Sequence, residues 1–257
     1  MVITWYGTAS IMLEVGDEKL LFDPFFRMNK KLQKPDLIEF TNVDYIFNTH
    51  PHFDHLCDLP KILPHTKAKV YGTHTMKARL MRQEVNQGQV FVLENEEWVD
   101  TQNSRVTAYS VRHVKNNKGI IIKTVVWGLA RLKFISAYKV LSLHNDYRMG
   151  ENIYAYEIEA EGKSILIFGS AGIDENQPLP KDIDVLIWPF QGRTNMTKYS
   201  LPIIEKVAPK TVILDHFDNA FPPITSTVST AKFVKAMRRL HPEIKVIVPE
   251  YHKPIKI

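Results

Sequence analysis

A chain of 257 residues with 44% hydrophobic and 24% charged residues has the composition of a soluble globular protein, which excludes a disordered or membrane-embedded chain. The net charge of +5 favours anionic partners, but the lysines are scattered, as is typical of a solvated basic surface. The single cysteine, Cys57, excludes an internal disulfide, and Met1 leads directly into a strand-like stretch without a signal-peptide pattern. We therefore expect a cytoplasmic protein.

Alternating apolar residues predict strands along the first half of the chain. Three strand-like runs, joined by short turns, occupy residues 2–5, 11–15 and 19–22. A fourth predicted strand over residues 43–48 stops at a histidine-rich loop, and Asp58-Leu59-Pro60 then has the pattern of a helix start. The other elements predicted in this half are strands at 69–71, 89–93 and 105–112 and a helix near 75–85.

The second half of the chain alternates between predicted strands and helices. Strands are predicted at 153–158, 164–168, 185–188, 211–214 and 245–248, and helices at 200–207 and 226–240. This order indicates an α/β or α+β sandwich whose sheets are covered by helices. The length favours a single domain over residues 1–257.

One segment, an insertion at about 115–150, does not fit this order. Within it, apolar residues recur at helical spacing over residues 124–143, interrupted by Arg131, Lys133 and Lys139, which predicts an amphipathic helix. Core packing beneath a loop explains the pattern equally well. The functional interpretations are a substrate lid, a dimer contact or a helix at a membrane surface.

The segment after the fourth predicted strand contains three histidines and an aspartate: His50, His52, Asp54 and His55. Neutral imidazole and carboxylate groups suit zinc and similar divalent ions, and a catalytic ion needs about three protein ligands plus a place for water. In an extended turn His50 and His52 point to the same side, whereas Asp54 and His55 follow where the chain turns toward a helix. Each pair is therefore predicted to begin a separate metal site.

The motif His50-x-His52-x-Asp54-His55 resembles the signature of metallo-β-lactamase-fold hydrolases. The stretch from Ile3 to Ser10, followed by Leu21-Phe22-Asp23-Pro24-Phe25, is similar to the branch containing UlaG-like phosphorylated-ascorbate lactonases and N-acyl-phosphatidylethanolamine phospholipase D. The resemblance extends over nearly the whole chain as ordered motifs. It implies a four-layer αββα sandwich with the active site at one edge of the two sheets.

The resemblance also implies further metal ligands. A histidine should close a later strand, where His113 fits and His144 is the alternative, and another should follow a late strand, where His216 fits. The implied allocation gives each ion three ligands: His50, His52 and His113 for one, and Asp54, His55 and His216 for the other. Zinc is the expected metal, as one or two ions, with manganese and iron as alternatives.

Ser170 departs from the family pattern. The family usually has an aspartate at this position that bridges both ions, and a neutral hydroxyl compensates less charge, so we expect weaker binding of the second ion. Asp174 is a candidate substitute from four residues later. The expected outcomes, in order, are two ions without a carboxylate bridge, one ion, or a degenerate site. Thr8, where this branch often has histidine, is a second departure.

We expect a hydrolase that uses a metal-bound hydroxide on a small ester, lactone or phosphodiester. Asp54 would orient the water and accept its proton, Asp23 would support a ligand, and Arg193 would bind an anionic group of a small-molecule substrate.

The alternatives are a metal- or ligand-binding protein with a degenerate site and a nuclease of the same fold. The absence of a basic cluster with interleaved aromatic residues argues against nucleic acid. The family branch and residues 124–143 give weak support to a membrane surface, and the sequence leaves the substrate and the oligomeric state open.

Overall fold

The computed structural model describes residues 1–26, 28–115, 147, 152–173, 177–222 and 225–257. Most of the predicted insertion at 115–150 lies outside the described residues, including the predicted helix at 124–143 and the alternative ligand His144. Asp174 also lies outside them.

Fourteen strands in the described ranges form two sheets of seven. In order across the first sheet, the strands are β14 (Pro254–Lys256), β1 (Val2–Gly7), β2 (Ser10–Val15), β3 (Glu18–Phe22), β4 (Tyr45–Phe47), β5 (Lys69–Gly72) and β6 (Val90–Val92). In order across the second, they are β13 (Lys245–Ile247), β12 (Thr211–Asp215), β11 (Val185–Pro189), β10 (Lys163–Phe168), β9 (Ile153–Ala160), β8 (Arg105–Val111) and β7 (Trp98–Asp100).

The described part of the chain also contains six α-helices: α1 (Leu37–Thr41), α2 (Phe53–Leu56), α3 (Leu59–Ile62), α4 (His74–Leu80), α5 (Met196–Val207) and α6 (Ala231–Leu240). Two 3-10 helices lie at Leu63–His65 and Gln87–Gln89. The helix predicted at 226–240 begins later than expected, at Ala231. The preceding segment instead bonds to a loop, since the Val228 amide donates to the Phe217 carbonyl (2.8 Å). The helix predicted near 75–85 likewise ends early, at Leu80.

Three apolar clusters give the molecule four layers. One lies between the two sheets and contains buried residues of both, such as Trp5, Phe47 and Tyr156. A second packs α5 and α6 against the second sheet, and a third packs α1, α3 and α4 against the first. The predicted αββα sandwich is confirmed. No helix in the described ranges is long and apolar enough to cross a bilayer.

Strand direction brings the chemically important segments to one edge of the sandwich. In the first sheet β3 and β4 are parallel. In the second sheet β10, β11 and β12 are parallel, and β8 runs in the same direction because β9 is antiparallel to both β8 and β10. The two sheets are joined at this edge by the Tyr154 amide, which donates to Thr49 O (2.9 Å), and by Tyr156 Oη, which donates to Asn48 O (2.8 Å). The carboxyl ends of these strands therefore meet there.

Candidate metal centre

All six ligands expected from the sequence converge at this edge. The donor atoms of His50, His52 and His113 lie within 4.8 Å of one another, and so do those of Asp54, His55 and His216. Four elements place them: β4 leads into His50 and His52, α2 carries Asp54 and His55, His113 follows β8, and His216 follows β12. The structure thus forms the two groups that the resemblance implied.

The first half-site comprises His50, His52 and His113. His50 Nε2 lies 3.1 Å from His52 Nδ1, and the His52 and His113 ring centroids are 4.7 Å apart. His113 Nδ1 lies 2.9 Å from the Val114 carbonyl oxygen, which can only accept a hydrogen bond. Nδ1 of His113 is therefore the protonated nitrogen, and its Nε2 keeps a free lone pair for a metal ion.

The second half-site comprises Asp54, His55 and His216. Asp54 Oδ2 lies 3.3 Å from His216 Nε2 and 3.8 Å from His55 Nε2. Asp54 and His55 are nearly fully buried. The His50 and His55 ring centroids are only 4.0 Å apart, so the two half-sites are in contact.

Asp23 supports both half-sites. Its carboxylate accepts four hydrogen bonds: from Asn48 Nδ2 (3.0 Å), the Thr49 amide (2.8 Å), Thr49 Oγ1 (2.5 Å) and His55 Nδ1 (2.7 Å). Thr49 Oγ1 in turn lies 3.0 Å from His50 Nδ1. Asp23 also forms a ligand-like group with His50 and His55. Because both of its oxygens are already engaged, Asp23 orients one histidine of each half-site, directly or through Thr49.

The charges of these groups suit a divalent ion. Burial, followed by the neighbouring His55 and His52, holds the pKa of His50 well below its usual value, and burial also lowers the pKa of His113. Burial alone would raise the pKa of Asp54, but the neighbouring His55 and His216 outweigh it and keep the carboxyl ionised. Burial opposes protonation of His216, yet the bond to Asp54 raises its pKa to about 9. Neutral imidazoles beside a carboxylate are the donor set that zinc-type ions require, and binding would displace the His216 proton.

Ser170 is used in a structural hydrogen bond. It is buried, and its Oγ accepts a hydrogen bond from the Val114 amide at 3.0 Å. The flanking glycines permit this close packing, because a Cβ at Gly169 would overlap the Thr49 side chain and one at Gly172 would overlap the Arg112 carbonyl. The segment after β10 thus holds the chain next to His113, although it supplies no carboxylate at position 170.

Three residues at the centre have left-handed backbones, which non-glycine residues rarely adopt: Thr8 (φ 53°), Asp23 (φ 43°) and His216 (φ 54°). Thr8 and His216 are also linked, since the His216 amide donates to Thr8 O (2.8 Å). The Thr8 amide donates to Asp218 Oδ1 (3.1 Å), which fixes the turn. Strained residues of this kind cluster at functional sites because the surrounding structure holds them in place.

Two supporting residues were missed from the sequence. Thr49 links Asp23 to His50, and Gln191 Oε1 lies 3.1 Å from His216 Nδ1. Both follow the carboxyl end of a strand at the edge where the ligands lie. A polar residue at such a position is a general signal, but it does not identify which histidine the side chain contacts.

Arg193 lies in the loop before α5. Its guanidinium donates to Lys115 O (Nη1, 2.5 Å) and to Asn195 Oδ1 (Nε, 3.3 Å), and it stacks over the Tyr199 ring at 4.7 Å. Lys115 is two residues from His113, so Arg193 holds the segment that leaves the metal centre. The expected contact of Arg193 with substrate stays a prediction.

Comparison with known proteins agrees with this geometry. Residues 2–216 match the family model described as a beta-lactamase superfamily domain. The chain belongs to the metallo-β-lactamase superfamily. A UPF0173 metal-dependent hydrolase of Staphylococcus aureus is 29% identical over 238 residues, which cover 87% of this chain and 88% of the relative. A UPF0173 metal-dependent hydrolase of Methylacidiphilum infernorum is 37% identical over 87 residues, which cover 34% of this chain and 38% of the relative.

Two solved structures have the same fold. Igni18, a metallo hydrolase of Ignicoccus hospitalis, superposes with a TM-score of 0.67 at 17% identity, covering 99% of this chain and 97% of its own. An isothiocyanate hydrolase from Delia radicum gut bacteria gives a TM-score of 0.64 at 13% identity, with 100% and 99% covered. Together with the family match, the curated relatives confirm the expected enzyme class: the chain is a metal-dependent hydrolase.

Proposed function

We propose that this hydrolase acts on a small ester, lactone or phosphodiester at a two-ion centre that lacks a bridging carboxylate. The observation that supports the proposal is the convergence of two donor triplets, each with two buried members and one half-buried histidine and with ligand atoms within 4.8 Å, at the carboxyl ends of the strands. Zinc is the proposed metal because five of the six donors are imidazoles, with manganese and iron as alternatives.

Each residue of the centre has a proposed task. When bound, the ions supply Lewis-acid polarisation of the scissile carbonyl or phosphoryl oxygen and acidify a water molecule. Asp54 is the proposed group that orients this water and accepts its proton, since its carboxylate is ionised and lies between His55 and His216. Asp23 keeps His55 and, through Thr49, His50 in their binding orientation.

The substrate is proposed to be a small anionic molecule, as for the lactonase and phospholipase branch that the N-terminal motifs resemble. Arg193 supports this proposal, because its loop also carries Gln191 and a guanidinium can bind phosphate or carboxylate through paired donors. The panel for testing substrates should therefore pair each neutral ester with an anionic analogue. A preference for the neutral member of each pair would count against the anionic substrate class.

The decisive experiment removes one ligand from the first half-site. His52→Ala deletes a donor 3.1 Å from His50, so in metal-replete protein we expect hydrolysis across an ester, lactone and phosphodiester panel to fall by at least about 100-fold. His65→Ala, at an exposed histidine outside the described metal groups, is the matched control and should retain full activity. Metal content is measured on the same samples by elemental analysis.

Two results would overturn the proposal. Unchanged turnover in metal-replete His52→Ala would mean that the centre does not carry the reaction. Wild-type protein with bound metal but no turnover on the whole panel would instead indicate a degenerate site, the alternative suggested by Ser170.

A further inference from the structure

Gln191 is held firmly at the metal centre by its loop. On one side, the Phe190 amide donates to the Asp215 carbonyl (2.9 Å), directly before His216. On the other side, Arg193 binds the carbonyl of Lys115 (2.5 Å). The loop is therefore attached to the end of β12 and to the segment that follows β8 and His113.

The Gln191 side chain determines which nitrogen of His216 faces the second half-site. Its Oε1 lies 3.1 Å from His216 Nδ1, and the opposite ring nitrogen, Nε2, lies 3.3 Å from Asp54 Oδ2. An amide oxygen accepts a hydrogen bond, so it fixes the proton on Nδ1 and leaves Nε2 as the donor atom for an ion.

The two histidines of the second half-site have different partners. His55 Nδ1 bonds the Asp23 carboxylate, which makes the imidazole a stronger electron donor, whereas His216 Nδ1 bonds a neutral amide. Ser170, where the resemblance implies a bridging carboxylate, adds no negative charge to this half-site. The negative charge of the half-site therefore comes from Asp54 as a ligand and from Asp23 through His55, and the contact at Gln191 adds none.

We propose that Gln191 is a positioning residue for His216 that sets the affinity of the second metal ion, and that its neutral amide keeps this ion weakly held and exchangeable. The inference rests on the metal centre proposed above. It predicts opposite effects for two substitutions of similar size: Gln191→Met loses the hydrogen bond, whereas Gln191→Glu keeps it and adds a carboxylate.

The test measures metal affinity rather than turnover. Metal-free full-length protein is titrated with Zn²⁺ against a chromophoric chelator at fixed pH, which gives a dissociation constant for each ion. We expect Gln191→Met to weaken the second ion by about 10- to 100-fold and Gln191→Glu to tighten it by about tenfold, with the first ion unchanged. The thermal unfolding of each metal-free variant confirms that it folds.

Gln33→Glu is the matched control. Gln33 Nε2 lies 3.2 Å from His252 Nδ1, so this change also places a carboxylate beside a histidine, but outside the described metal groups. It should alter neither affinity.

Three outcomes would overturn the inference: wild-type protein that binds only one ion, Gln191 variants that leave the second affinity unchanged, or variants that shift both affinities equally. Failure of the proposed function is distinguishable. A protein that binds two ions but hydrolyses nothing refutes the hydrolytic role, and the Gln191 comparison is still decided by the affinities.

Discussion

Single residues at the metal centre divide into donors and supports, and Ser170 is one of the supports. Its Oγ accepts a hydrogen bond from the Val114 amide (3.0 Å), beside His113. The position thus supplies a hydrogen-bond acceptor but not the carboxylate that the resemblance implies. Because divalent cations prefer anionic oxygen, serine at this position lowers the negative charge of the metal centre more than it changes the geometry.

Ser170→Asp should strengthen binding of the second ion. The aspartate can still accept from the Val114 amide, and it adds a negative charge at the position where the resemblance implies a carboxylate between the two ions, so we expect the dissociation constant to fall by about 10- to 100-fold. Zn²⁺ titration checks this, with Ser229→Asp at an exposed position as the control for added charge. An unaltered second affinity in a folded Ser170→Asp protein would show that the side chain does not reach the ions.

The ligands were more predictable than their supports. Four of them lie within six residues of sequence, so their types and spacing were sufficient to predict a metal centre: His50, His52, Asp54 and His55. The contact of Gln191 with His216 depends on a loop path and a side-chain rotamer, neither of which leaves a periodic pattern.

At the scale of elements, the segment after β10 packs closely against Thr49 at the centre. Gly169 allows the Thr49 side chain to approach β10, and Thr49 carries the link between Asp23 and His50. A methyl group at position 169 would have to displace Thr49. The glycine thus controls the supports of both half-sites without touching a ligand itself.

Gly169→Ala should lower both stability and metal affinity. Overpacking against Thr49 is expected to reduce the free energy of unfolding by about 1–3 kcal/mol and to weaken the first ion, because His50 loses its support. Urea unfolding of the metal-free protein and Zn²⁺ titration measure the two effects.

Gly162→Ala is the control for Gly169→Ala. No atom lies within 4 Å of a Cβ at Gly162, but its φ is +70°, so it should cost about 1 kcal/mol of backbone strain and leave the metal affinity unchanged. Equal metal affinities in the two alanine variants would contradict the role given to Gly169.

Long strands with clear alternation were predicted within one or two residues, as for β10 and β12. Two edge strands were missed: β7 with Trp98–Asp100 and β14 with Pro254–Lys256. Each has only three residues, too few for a period-two pattern, although β7 pairs with its neighbour β8 across a short turn and β14 pairs with the distant β1.

At the scale of the whole molecule, Asp184 links neighbouring strands at the sandwich edge opposite the metal centre. Its carboxylate binds Lys210 Nζ (2.7 Å) and accepts from the Ser164 amide (2.9 Å), which joins the amino ends of β10, β11 and β12. The bond from Lys210, followed by that from Ser164, lowers the pKa of Asp184 below its usual value of 3.8. The ionised form is therefore favoured by folding.

Asp184→Asn should reduce stability in a pH-dependent way. A lowered carboxyl pKa contributes stability that is present above the unfolded pKa near 3.8 and lost as the pH falls through the folded value. Because Lys210 is largely exposed, we expect a loss of under about 1 kcal/mol at pH 7. Urea unfolding at pH 7 and pH 3 checks this, and a difference from wild type that persists in full at pH 3 would contradict it.

The left-handed backbones at the centre mark a place where this scaffold can gain stability. Aspartate and histidine tolerate that conformation better than most residues, but threonine is β-branched, so Thr8 is the most costly of the three. Each such residue costs about 1–3 kcal/mol, comparable with the effect of a typical destabilising point mutation. Selection for heat tolerance would therefore find glycine or asparagine at Thr8 among its easiest gains, at the position that fixes the His216 turn. Thr8 makes its hydrogen bonds to His216 and Asp218 through its backbone, which both substitutions keep, so stability could rise at this position without disturbing the His216 turn.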